Sequence, residues 1–234
     1  MKSADKRVLV LLSGGIDSST CLAMAVKEHG KENVFALILF YGQKHSQELN
    51  CAKNVAEYYG VKTRNIDLSS VFAGSDCPLI QGSHTEIPKK SYSEQLKSSN
   101  GHPVVTYVPF RNGLFLSVAA ACALSENCSE IIYGAHADDS AGNAYPDTSP
   151  AFNAAMNKAI FTGSGEALTL TAPFENSSKK DIVKIGLTLG VPYELTWSCY
   201  EGEKEPCGKC GTCLDRAAAF EANNAVDPAI KSEN

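Results

Sequence analysis

The sequence predicts an α/β protein: a Rossmann-like parallel sheet with helices on both faces, followed by a short cysteine-bearing segment at the C-terminus. Three observations carry this reading. Apolar runs of strand length alternate with helical patterns, and that alternation builds parallel sheets. A loop of small residues, "SGGIDSS" at 13–19, joins the first run to the first helix, and ligands of such sheets bind in the loops at the carboxyl ends of the strands. Four of the nine cysteines crowd into residues 199–213. A chain of 234 residues is long enough for one such domain with an appended element. The expected division is residues 1–195 as the α/β unit and 196–234 as a cysteine-bearing, helical segment of the same compact unit.

The elements follow in order. "RVLVLL" (7–12) predicts a buried strand, and 18–29 a helix, with Leu22, Ala25, Val26 and His29 at helical spacing and Gly30 as its stop. "VFALILFY" (34–41) predicts a second buried strand, 46–59 a helix ending at Gly60, and "VKTRNIDL" (61–68) a third strand. Residues 72–102 are rich in Gly, Ser, Pro, Lys and His without a sustained period, and predict a long loop. "VVTYV" (104–108) predicts a fourth strand, 111–124 a helix of small apolar residues, and "EIIYGA" (130–135) a fifth strand. A helix near 150–161 and a short strand at "LTLTAP" (168–173) come next. Ser178 and Asp181 then form a capping-box pattern, Ile182, Ile185, Gly186 and Leu189 line one helical face, and Gly190 and Pro192 stop it.

Composition bounds the function. Apolar residues make up 44% and charged residues 20%, as in ordinary globular proteins. A net charge of -5 argues against broad nucleic-acid binding, which draws its affinity from a basic face. No apolar run reaches membrane-spanning length. The N-terminal run "VLVLL" is too short for a signal peptide and enters a glycine loop instead of a cleavage site. The odd cysteine count also suits a reducing compartment, and a cytoplasmic protein is expected.

In the first loop, Gly14 and Gly15 let the backbone approach an anion closely, free N–H groups at the helix start favour negative charge, and Ser13, Ser18 and Ser19 offer hydroxyls. The loop lacks the lysine of ordinary P-loops and the glycine pattern of dinucleotide folds. It resembles, residue for residue, the S-G-G-x-D-S loop of the PP-loop ATP pyrophosphatases, which cut ATP between the α- and β-phosphates. Asp17 is either a helix N-cap or a magnesium ligand; the two are compatible, and the metal role is favoured.

Cys199, Cys207, Cys210 and Cys213 are spaced C-x7-C-x2-C-x2-C, with Gly208 and Gly211 relieving the turns. Four thiolates at this spacing suit tetrahedral zinc over two disulfides or an iron–sulfur cluster, and a site closed by four protein ligands is structural. Cys21, Cys51, Cys77, Cys122 and Cys128 are scattered; Cys21 and Cys122 read as small buried hydrophobes. Arg111 and Asn112 open a helix, where the dipole disfavours a cation. The arginine there is either simply exposed or waiting for an anion such as a carboxylate. Asp138, Asp139 and Asp147 lie in a glycine-containing loop that is either solvated or recognises a metal or base.

Taken together, "LSGGIDSSTCL", "YGQKHSQEL", "VPFRN", the loop ending "YPD", "SKKDIVKIG" and "TWSCY…PCGKCGTC" resemble the QueC family of 7-cyano-7-deazaguanine synthases from Val8 to Arg216. The resemblance implies an adenine nucleotide alpha-hydrolase-like fold and an ATP-dependent carbon–nitrogen ligase. Such an enzyme converts 7-carboxy-7-deazaguanine and ammonium to the nitrile through an adenylated acid and an adenylated amide. ATP would lie on Leu12, Ser13, Gly14, Gly15, Ile16, Asp17, Ser18 and Ser19; Ser13, Asp17 with magnesium, and Lys179 would be catalytic. Tyr41, Gln43, Arg111, Asn112 and Asp147 would contact the second substrate. One structural zinc per chain and a homodimer are implied as well. After Asp147 the family commonly has Cys-Arg, whereas Thr148 and Ser149 stand here. Two rivals are a tRNA-thiolating PP-loop enzyme, which would need a basic face, and a zinc-bearing nucleotide sensor that binds ATP without turnover.

Overall fold

Five apolar or alternating runs become the strands of one sheet in the computed structural model, which describes residues 6–44, 47–202 and 204–229. They are β1 (Val8–Leu11), β2 (Val34–Phe40), β3 (Lys62–Asp67), β4 (Glu130–Ile132) and β5 (Thr169–Thr171). All pairings are parallel, in the order β3-β2-β1-β4-β5. The helices are α1 (Ile16–His29), α2 (Gln47–Tyr59), α3 (Tyr92–Ser99), α4 (Arg111–Ser125), α5 (Ala137–Ser140), α6 (Pro150–Gly163), α7 (Lys179–Leu189) and α8 (Gly211–Glu221).

β1 and β2 are covered on both faces, and this is why they read as unbroken apolar runs. Val8, Val10 and Leu12 face the layer of α1, α7 and α8, packing with Leu22, Ile182 and Phe220. Leu9 faces the layer of α4 and α6, packing with Leu116, Ile131 and Ile160. β3 at the sheet edge is covered less, and none of its residues is fully buried. The strand order reverses between β1 and β4. Crossovers from β1 run one way and from β4 the other, so the loops after these two strands splay apart and leave a crevice at their carboxyl ends.

The capping box at Ser178 forms: its hydroxyl accepts from the Asp181 N–H at 3.3 Å, and the Asp181 carboxylate accepts from the Ser178 N–H at 3.0 Å. Several boundaries differ from expectation. α1 begins at Ile16, two residues early, because the loop itself makes the first turn. β4 and β5 stop after three residues each, where the chain turns into the crevice. The first residue of the helix expected over 46–59, Ser46, lies outside the described residues.

Two expectations fail. Residues 104–108 are not a strand but irregular chain with a turn at 105–106, because the ladder positions beside β1 are taken by β2 and β4. Their side chains go separate ways: Val104 packs with Ala144 and Tyr145, Val108 with Tyr41 and Trp197, and the Thr106 hydroxyl meets that of Tyr145 at 2.7 Å. The loop expected over 72–102 contains α3, started by a capping box in which the Glu94 carboxylate accepts from the Ser91 N–H at 3.0 Å.

Candidate active site

The crevice is a cleft of about 590 Å³. Its floor is the loop between β1 and α1. Gly14 has φ 88°, and a Cβ there would stand 2.4 Å from the Glu48 carbonyl oxygen and 2.6 Å from the Ala52 nitrogen. The loop therefore lies directly on the backbone of α2. On the other side Gly134 passes the start of α1 so closely that a Cβ would fall 3.0 Å from the Asp17 Cβ. Ser13 donates its N–H to the Ser18 hydroxyl at 3.1 Å, and the two hydroxyls lie 2.9 Å apart. Leu12, Ser13, Gly15, Ile16, Asp17 and Ser18 line the cleft. Gly14 faces α2 instead, and Ser19 is wholly buried, its hydroxyl without a partner among the described residues.

On the β4–β5 side a charged cluster closes over the loop. Lys179, the first residue of α7, reaches Asp17 Oδ2 with Nζ at 2.5 Å, and its N–H donates to Asp138 at 2.7 Å. His136 Nε2 lies 3.3 Å from Asp139 Oδ2 and 3.8 Å from Asp17 Oδ2. Burial works to raise the Asp17 carboxyl, but the Lys179 ammonium and His136 hold it below the ordinary value. Burial would lower Lys179, yet Asp17 and Asp139 carry it above its ordinary value. Asp139 is pushed up by burial, and Asp215, reaching in from α8, is pushed up by burial to about 6. Asp17 Oδ1 is buried and has no partner among the described residues. A free carboxylate lone pair in an acid-rich pocket is the donor a hard divalent cation takes, so these residues fit magnesium.

On the β2 side stands Arg111, at the start of α4. Its Nη1 donates to the Tyr41 hydroxyl at 3.2 Å, and the guanidinium lies 5.1 Å over the Tyr41 ring and 5.7 Å over the Phe115 ring. Its Nε is buried without a partner, and no carboxylate among the described residues pairs with it. Asp147 is close enough to act on Arg111 electrostatically, but its side chain accepts from the Asn112 N–H at 2.9 Å and does not line the cleft. It caps α4, whose own N-cap residue, Phe110, supplies no acceptor. Gln43 similarly braces the chain, accepting the Tyr41 N–H at 2.9 Å. Tyr41, Gln43, Arg111 and Asn112 all line the cleft. Tyr92 and Tyr200 join hydroxyls at 2.8 Å as one wall, and the Tyr92 ring packs edge-on against Tyr145.

The replacement of Cys-Arg by Thr148 and Ser149 has a local account. Thr148 turns its hydroxyl to the Tyr145 carbonyl at 2.7 Å, and Ser149 caps α6 by accepting from the Phe152 N–H at 3.2 Å. Ser149→Ala should destabilise the protein by about 1 kcal/mol, the usual worth of such a cap; urea unfolding followed by circular dichroism measures it.

The sulfurs of Cys199, Cys207, Cys210 and Cys213 all lie within 4.8 Å of one another. Zinc bonded to sulfur at about 2.3 Å sets tetrahedral sulfurs about 3.8 Å apart, so the cluster fits a four-thiolate metal. Backbone N–H groups of Gly202 and Cys207 donate to the Cys199 sulfur at 3.0 and 3.2 Å, as they would to a thiolate. Hydrogen bonds with Cys210 and Cys213 hold the Cys199 thiol well below its usual range, and hydrogen bonds with Cys199 and Cys210 drive Cys213 up. The cluster adjoins the cleft through short covalent paths. The Trp197 N–H donates to the Gly14 carbonyl at 2.9 Å, Tyr200 follows Cys199, and Asp215 lies two residues beyond Cys213.

Sequence reasoning did not single out Glu48, His136, Tyr200 or Asp215 as lining residues, although "QKHSQEL" and "GAHADD" contain the first two. Their place in the cleft is what distinguishes them, and a lone acid or tyrosine carries no such mark in sequence.

Residues 7–224 match the family model described as "Queuosine biosynthesis protein QueC". A 7-cyano-7-deazaguanine synthase of Archaeoglobus fulgidus is 42% identical over 228 residues, covering 97% of this chain and 91% of that one. One of Pseudoalteromonas atlantica is 41% identical, covering 95% and 97%. Among solved structures, the U34-tRNA thiolase NcsA of Methanococcus maripaludis, with its [4Fe-4S] cluster, superposes with a TM-score of 0.50 at 15% identity, over 96% of this chain and 66% of that one. That likeness is one of fold.

Proposed function

The chain belongs to the QueC family of enzymes, and on that premise we propose that it converts 7-carboxy-7-deazaguanine and ammonium to 7-cyano-7-deazaguanine at the expense of ATP, in queuosine biosynthesis. One observation supports this most: a single cleft holds a phosphate-type loop with Lys179 on one side and, on the other, a guanidinium with no carboxylate partner among the described residues. A carboxylate substrate answers the second, and ATP answers the first.

A carboxylate is a poor electrophile because its oxygen does not leave. Transfer of AMP makes that oxygen a leaving group, ammonia displaces it to give the amide, and a second adenylation on the amide oxygen followed by loss of AMP gives the nitrile. The residues' share is positioning and charge neutralisation. Ser13, Gly15, Ser18 and the free N–H groups of α1 hold phosphate oxygens. Lys179 Nζ, aimed by Asp17 Oδ2, meets the departing pyrophosphate. Asp17 Oδ1 would hold magnesium, which supplies further neutralisation of the phosphates when bound. Arg111 takes the substrate carboxylate, with Asn112 and Asp147 fixing the helix start that carries it, and Tyr92 and Tyr200 offering flat faces to the base. The four cysteines would hold a structural zinc. Support for a cytoplasmic homodimer is the family resemblance; among the described residues no helix is long and apolar enough to cross a membrane.

The test is pyrophosphate release from ATP with 7-carboxy-7-deazaguanine and ammonium, and separately with tRNA. Stimulation by the deazapurine, with two pyrophosphates per nitrile, is the expected result. Release that depends on tRNA, or none with either, overturns the reading.

A further inference from the structure

One of the cleft's carboxylates stands apart from the rest and has no part in the reading above. Of the five lining acids, Asp17, Asp138, Asp139 and Asp215 gather around Lys179. Glu48, in the first turn of α2, stands on the Arg111 side. Its carbonyl abuts Gly14, which fixes the residue beside the phosphate loop. No described residue donates a hydrogen bond to its carboxylate. Arg111 is near enough to be felt but is not within the 4.0 Å of an ion pair. Two opposite charges thus face one cleft, near each other and unpaired.

Resting on the proposed reaction, we infer that Glu48 is the ammonium site and the base that frees the nucleophile. Ammonium offers four donors and no acceptor, so it needs an acceptor-only anion, which a carboxylate is. Arg111 selects the anionic reactant and Glu48 the cationic one, and both lie beside the loop where AMP is transferred. In the step itself, a Glu48 oxygen takes one proton from ammonium and leaves the nitrogen lone pair free. The lone pair forms the C–N bond at the adenylated carboxyl carbon. The C–O bond to phosphate breaks and its electron pair departs with AMP, whose phosphate accepts the second nitrogen proton. Burial pushes the Glu48 carboxyl up to about 7, against the pull of Arg111. A proton acceptor of that strength is suited to work near neutral pH.

Glu48→Gln tests the assignment, because it keeps the shape and removes the base. Two quantities are read: the single-turnover pyrophosphate burst with ATP and 7-carboxy-7-deazaguanine in the absence of ammonium, and the steady rate of product formation with ammonium chloride. The burst should stay within about threefold of wild type while the steady rate falls at least about a hundredfold, the scale of a lost general base. Hydroxylamine, already neutral at neutral pH, should support a far smaller difference between variant and wild type. Glu48→Asp should recover at least about tenfold over the glutamine variant. A steady rate within threefold of wild type overturns the inference. So does a burst that needs much more deazapurine, which would make Glu48 a substrate contact, or a defect of equal size with both nucleophiles. If wild-type protein itself gives no burst, the proposed reaction falls, and Glu48 with it.

Discussion

Asp17→Asn is expected to slow pyrophosphate release at saturating ATP and magnesium by at least about a hundredfold, and Lys179→Met to do the same. The departing pyrophosphate carries several negative charges into a poorly solvated cleft, and one preorganised charge stabiliser is worth about that much. The structure adds a condition. Because Lys179 Nζ is held at 2.5 Å by Asp17 Oδ2, the two act as a unit. The double variant should therefore lose little more than the worse single one, where independent residues would multiply their losses. Half of the Asp17 carboxylate, the Oδ1 side, has no protein partner to lose among the described residues. Metal content at the cysteine cluster should stay unchanged in all three variants. Single variants within about threefold of wild type would remove both residues from the leaving-group site.

Purified protein should carry about one equivalent of zinc, without the visible absorbance of an iron–sulfur cluster, and Cys199→Ser should abolish it. The expected fall in thermal midpoint is about 10 °C, corresponding to about 4 kcal/mol in a domain of this length, because a structural metal contributes folding energy directly. The loss should extend to the cleft, since Tyr200 and Asp215 are set by their covalent neighbours in the cluster. Elemental analysis with calorimetry gives the answer. Iron with a brown chromophore would replace the zinc assignment.

The glycine–serine loop at 13–19 and the cysteine cluster were legible in the sequence because each is a short contiguous motif. The buried strands were legible for the same reason: a run such as "VFALILF" has nowhere to go but a covered sheet. What was not legible depends on distant packing. "VVTYV" has every local mark of a strand, but no free ladder position beside β1 remained to receive it. The pairing of Asp17 with Lys179 spans 162 positions, and Glu48 differs from any helix-surface glutamate only in what surrounds it. α3 is a different case: its capping box, Ser91 with Glu94, stood in the sequence, but its polar composition gave the helix no apolar face to announce it.

The opening of α8 places three duties on four consecutive residues. Cys213 belongs to the sulfur cluster and Asp215 lines the cleft. Arg216 is buried in a two-pronged pair with Asp227 at 2.6 and 2.8 Å while also donating to Thr196 at 2.9 Å. Only Leu214 among the four is exposed. A helix advances each side chain by about 100°, so inserting or deleting one residue here would misdirect metal, cleft and core together. Tolerance to length change should accordingly vanish across this stretch, while substitutions at Leu214 pass freely. The helix is a shared spindle, and its register is inherited as one indivisible trait.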